Sequence, residues 1–226
     1  MKMFEYGSKL MAEKRARPGD DLASRLLACE VDGRRLEDME FLLFFLLLID
    51  AGGDTTRNLL ASGLDAMLDH PDQMAWLKAD LPARLPAARE ELLRWTTPVI
   101  YMRRTARKDA QLGGKTIRQG DKVVMYFGSA NRDPRVFTDP DRYDLDRPEP
   151  LPQLASFGFG RHFCLGASLA RLEARVALEE LVRAVATYEV DPAGIERVHS
   201  VNVRGFAALP TEITVRPGYV VPEGDR

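Results

Sequence analysis

Phe157-Gly158-Phe159-Gly160-Arg161-His162-Phe163-Cys164-Leu165-Gly166 is the most informative stretch of this 226-residue chain. It lies directly ahead of a segment, about 167–186, that reads as a helix. Glycines 158, 160 and 166 allow tight turns and the close approach of a flat ligand. A lone cysteine is most often an inert buried hydrophobe, but the neighbours of Cys164 give it a purpose. A sulfur just before a helix sits near the positive end of the macrodipole and near unpaired N–H groups, a setting that favours thiolate. The spacing is not C-x-x-C and no second cysteine is near, which argues against a zinc site. A single thiolate ligand suits haem iron, where it pushes electron density to favour O–O cleavage.

Outward from this loop, the chain reads as mainly α with a small antiparallel β portion. A helix spans 3–15, with no convincing N-cap before it. Pro18-Gly19-Asp20 ends it, and Asp20 or Asp21 can cap the next. A long helix from about 36 to 68 follows, interrupted in the middle by Ala51-Gly52-Gly53, and His70-Pro71 stops it. Two shorter helices are expected near 72–80 and 84–95. The period then becomes strand-like at 99–106, 111–112, 115–117 and 122–126, with glycine turns between. Residues 134–152 read as extended and irregular, and 187–219 as short strands with turns.

Two further patterns carry chemistry. In the long helix, Asp54 and Thr55 follow the glycine pair, Ala51 and Thr55 share a face, and Leu47 and Leu48 lie one turn earlier. An apolar wall thus leads to a small residue, an acid and a hydroxyl. Glu91 and Arg94 are three apart on one helix face. Alone, such a pair is an ordinary solvated one worth about 0.3–0.5 kcal/mol.

Composition excludes several classes. With 32 Lys+Arg against 34 Asp+Glu the formal charge is −2, unlike a nucleic-acid binder. The longest apolar run, 41–49, is far short of the ~20 residues that span a bilayer. Two cysteines, Cys29 and Cys164, cannot form a disulfide scaffold, and no signal-peptide segment opens the chain. A cytoplasmic protein is expected, with no membrane span and no nucleic-acid partner. Cys29 reads as a small apolar filler.

Together the patterns resemble the cytochrome P450 family of haem-thiolate monooxygenases, with wording closest to soluble actinobacterial members. Ala51-Gly52-Gly53-Asp54-Thr55-Thr56 resembles the oxygen-binding helix, Glu91-x-x-Arg94 the helical pair, and Phe157-x-x-Gly160-x-His162-x-Cys164-x-Gly166 the haem-binding loop. The resemblance implies that Cys164 is the axial thiolate of haem b. It implies that Thr55 and Asp54 steer protons to bound dioxygen. Arg104 and His162 would contact the haem propionates, and Phe157, Gly160, Gly166 and Ala51 would border the haem. Glu91 and Arg94 would be structural, joined by Arg142 of the meander-like Pro140-Asp141-Arg142-Tyr143.

The resemblance covers essentially the whole chain but only the C-terminal half of a family member, so residues 1–226 are expected to form one partial domain lacking the N-terminal half. Segments 44–48, 99–102 and 205–207 match regions that line the family's substrate pocket. Leu47, Leu48, Ile100 and Phe206 would therefore face a hydrophobic substrate, sterol, terpene or fatty-acid-like. Electrons would come from NAD(P)H through a ferredoxin or flavoprotein, to a monomer. The competing expectation is a truncated, inactive fragment of the same family.

Overall fold

The computed structural model describes residues 2–148, 151 and 154–220. The chain divides into two compact units, Met1–Asp54 and Thr55–Arg226, and the division falls inside one helix.

In the first unit, α1 (Lys2–Ala16) carries Glu5 in its first turn and Lys14 and Arg15 in its last, the arrangement the helix dipole favours. After the Pro18-Gly19 break, α2 (Leu22–Ala28) starts at Asp21, whose carboxylate accepts from the Ser24 N–H at 2.9 Å. Lys14 lies 2.9 Å from the same carboxylate, and these two contacts hold Asp21 down to about 2. A tight hairpin joins β1 (Glu30–Val31) to β2 (Arg34–Arg35); Asp32 and Gly33 both have positive φ, as such a two-residue turn requires. Met11, Phe41 and Leu42 form the small core of this unit. Gly7 is needed there, because a Cβ would come within 2.9 Å of Leu42.

The helix α3 (Asp38–Asp69) is continuous over 32 residues. The expected interruption at Ala51-Gly52-Gly53 does not occur. Both glycines keep a negative φ, and the turns on either side carry the helix through them. At its start, Glu40 accepts from the Glu37 N–H at 2.9 Å and takes a forked contact from Arg34.

In the second unit α4 (Pro71–Ala79) and α5 (Leu81–Thr96) follow, both opened by proline in the first turn. Thr97 ends α5 at φ 40°. β3 (Tyr101–Thr105) pairs antiparallel with β6 (Lys122–Tyr126), and the intervening hairpin is β4 (Ala110–Leu112) with β5 (Lys115–Ile117). The short α6 (Phe127–Ala130) leads into an irregular stretch, where 134–148 hold no helix or strand; residues 149, 150, 152 and 153 lie outside the described residues. After the cysteine loop come α7 (Ala167–Ala184), β7 (Val185–Val190), β8 (Glu196–Arg197), β9 (Phe206–Ala208) and β10 (Thr211–Val215). β7 pairs with β10 and β8 with β9, all antiparallel. The larger core joins α3, α5 and α7 through Leu59, Met67, Leu92, Leu145, Ala174 and Leu178. Gly63 lets α3 and α5 close up, since a Cβ would stand 2.3 Å from Leu92. The mainly helical reading with small antiparallel sheets is therefore correct. Among the described residues no helix is long and apolar enough to cross a membrane.

Candidate active site

The cysteine loop doubles back on two left-handed glycines, Gly158 at φ 67° and Gly160 at φ 69°. The Gly158 N–H donates to Ala155 O at 2.8 Å, and the Cys164 N–H donates to Phe157 O at 2.9 Å, closing the loop on itself. A 3-10 turn at Gly160–His162 points the chain into α7, whose N-cap is Gly166. Phe157 is buried and anchors the loop: the Arg171 guanidinium lies 4.6 Å over its ring and forks onto Glu90 of α5 at 2.8 and 2.9 Å. Cys164 is exposed, together with Phe159, Phe163 and Leu165, the last at 76%, and the Phe163 ring lies 6.2 Å from that of Phe157.

This donor set fits a haem. One soft sulfur stands among apolar side chains, and a Cβ on Gly160 would meet nothing within 4 Å, so backbone is bare where a flat macrocycle would lie. A Cβ on Gly166 would lie in ordinary contact with Cys164 Sγ, at 4.0 Å.

Glu91 and Arg94 are both fully buried and meet through two hydrogen bonds, 2.6 and 2.8 Å. Arg94 directs its remaining donors to three carbonyls, those of Asn131, Pro140 and Arg142, at 2.8, 2.8 and 3.1 Å. All five of its N–H groups are thereby engaged. Glu91 also accepts from the Asp144 N–H at 2.9 Å. Here the expectation for Arg142 needs correction. Its side chain is 64% exposed and faces Asp144 at 3.9 Å; only its backbone carbonyl joins the network. The second cation on Glu91 is Arg147, 8% exposed, with Nε 3.1 Å from Oε2 and its other nitrogens on the carbonyls of Thr138, Asp139 and Arg142. Asn131, also missed, is fully buried and ties Thr97, Ser156 and Ala155 together. Cys29, read as a filler, is exposed.

Of the other predicted positions, Leu47, Ala51 and Asp54 are exposed on α3 within the first unit, and Leu48 is half-buried. Thr55 is half-buried and belongs to the second unit. Arg104 is half-buried on β3, its guanidinium on Arg103 O at 3.1 Å, and His162 is exposed within the 3-10 turn. Ile100 is half-buried, but the expectation for Phe206 needs correction: it is buried, with the Arg197 guanidinium 4.0 Å over its ring, although the structure does bring the two segments together. Ile100 N–H donates to Asn202 O at 2.8 Å, Arg204 N–H to Pro98 O at 2.7 Å, and Val99 bridges Val203.

The cytochrome P450 family profile matches residues 1–215. Cytochrome P450 123 of Mycobacterium tuberculosis is 47% identical over 216 residues, covering 96% of this chain and 53% of the relative. A methyl-branched lipid omega-hydroxylase of the same organism is 44% identical, over 91% of this chain and 47% of the relative. Among solved structures, Mycobacterium marinum cytochrome P450 CYP268A2 in complex with pseudoionone matches at 45% identity and a TM-score of 0.87, covering 93% of this chain and 50% of that one. CYP109E1 of Bacillus megaterium in complex with testosterone matches at 35% and 0.85, covering 96% and 59%. The chain belongs to the cytochrome P450 family, and it spans about half the length of the curated relatives it matches.

Proposed function

We propose that this chain carries the cysteine-ligand portion of a haem-thiolate monooxygenase acting on a hydrophobic substrate. The observation that supports this best is the cysteine loop: an exposed sulfur, flanked by bare glycine and exposed aromatic side chains, on a loop anchored by Phe157 and Arg171. Cys164 would hold haem b through Sγ, with Phe157, Gly160, Gly166 and Ala51 bordering it. Arg104 and His162 would meet the propionate carboxylates. Arg suits that role because its fork matches a carboxylate. When bound, the haem supplies activation of dioxygen, using two electrons so that one oxygen atom enters a C–H bond and the other leaves as water. Thr55 would hold a proton at its hydroxyl and Asp54 would deliver protons to it, while Leu47, Leu48 and Ile100 would keep water from the substrate.

The mycobacterial lipid hydroxylase and the terpenoid and steroid complexes support an apolar substrate of lipid, terpene or sterol type. Electrons would reach the site from NAD(P)H through a ferredoxin or flavoprotein. The half-length match favours a second reading, a fragment without turnover of its own. Haem titration of the purified chain separates the two readings. The first expects a stoichiometric thiolate-ligated complex that oxidises an apolar substrate when given NADPH and a ferredoxin system. Haem uptake without any oxidised product supports the second, and failure to take up haem contradicts the first.

A further inference from the structure

Asn58 lies one turn after Thr55 on α3 and is completely buried. Its Oδ1 accepts from the Phe206 N–H at 3.2 Å, while its Nδ2 has no hydrogen-bond partner. The contact is so close that a Cβ on Gly205 would stand 2.0 Å from that Oδ1 and 2.1 Å from Cγ. Only glycine fits at 205 with asparagine at 58. Two turns further along α3, on the same face, Asp65 pairs with Arg197 at 3.4 Å, and the Arg197 guanidinium lies 4.0 Å over the Phe206 ring. Phe206 is thus held to α3 twice, by its backbone and by its ring. The same loop is laced to 98–100 by the three contacts described above. Ile100, Phe206 and the helix turn of Thr55 therefore meet at one junction within the second unit.

We infer that Asn58, with Gly205, is a positioning pair that sets the loop 201–206, in which Phe206 is buried and Val201 exposed, relative to the Thr55 turn and so determines which apolar substrates fit. The inference rests on the monooxygenase reading for the word substrate, but the latch itself does not. A buried amide losing its acceptor costs enough to open the loop locally. Moving a loop with an apolar exposed end changes discrimination between apolar ligands.

The test uses the full chain and Asn58→Ala, Asn58→Asp and Gly205→Ala. Asn58→Ala should raise amide exchange at Phe206 about tenfold. Asn58→Asp keeps an oxygen acceptor, and in acid, where its buried carboxyl is neutral, it should restore protection. Gly205→Ala, which pushes the loop off the side chain, should free the same amide. In the haem-loaded chain, Asn58→Ala should also change the ratio of palmitate to cholesterol affinity, read from the ligand-induced absorption shift, by about tenfold. Phe206 exchange that stays unchanged in both Asn58→Ala and Gly205→Ala overturns the latch. Freed exchange with an unchanged affinity ratio overturns the positioning role. If the haem-loaded wild-type chain binds neither probe, the fatty-acid and sterol part of the substrate reading fails, and the exchange measurement alone decides the latch.

Discussion

Arg94 has no spare donor: five N–H groups meet one buried carboxylate and three carbonyls. A buried pair broken on one side leaves an uncompensated charge, costing about 3–5 kcal/mol. Arg94→Lys cannot reproduce the planar fork, and Glu91→Gln removes the charge between two arginines. Each should lower urea stability by about that amount; a loss under about 1 kcal/mol would contradict the assigned role. The two meander arginines make a sharper comparison. Arg147→Ala should be strongly destabilising, whereas Arg142→Ala should stay within about 0.5 kcal/mol because its exposed side chain does nothing its carbonyl does not. Equal losses would contradict this division of roles between the two side chains. Glu91 and Arg94 were readable because helical spacing puts them on one face. Arg147 was not, because spacing within an irregular segment does not say which side chain turns inward. Asn58 was hidden for a related reason: its role depends on a loop almost 150 residues away in sequence.

Among elements, α3 shows where local propensity loses to cooperativity. Two adjacent glycines suggested a break, yet the helix continues, and a Cβ at Gly52 would meet nothing within 4 Å. Gly52→Ala should therefore stabilise the haem-free chain by about 0.5–1 kcal/mol, seen as a higher melting temperature; destabilisation would contradict the open, helical geometry. The turn-bounded strands from 101 to 126 were readable because positive-φ glycines mark their hairpin. At the other end of the second unit, Tyr188 of β7 donates to Leu64 O of α3 at 2.9 Å. Burial, with Asp65 nearby, pushes its phenol up to about 12. Because the folded state holds the proton more tightly, the stabilisation is complete below the unfolded value of about 10 and is lost as pH rises toward 12. A phenolate absorbance titration should show one tyrosine ionising near 12, shifted down to the ordinary range on unfolding.

For the molecule as a whole, the fold follows from helix periodicity, and membership of the family follows from the match across residues 1–215. The composition only excluded classes; three short motifs pointed to the chemistry. The candidate residues lie on α3, β3, the cysteine loop and the tail, and sequence spacing names residues without the contacts that hold them. The most direct test is the carbon monoxide difference spectrum of the haem-loaded, dithionite-reduced chain. A long-wavelength Soret band, diagnostic of thiolate ligation, is expected for the wild type and should vanish in Cys164→Ser. Absence of that band in the wild type, or its persistence in Cys164→Ser, would contradict Cys164 as the ligand.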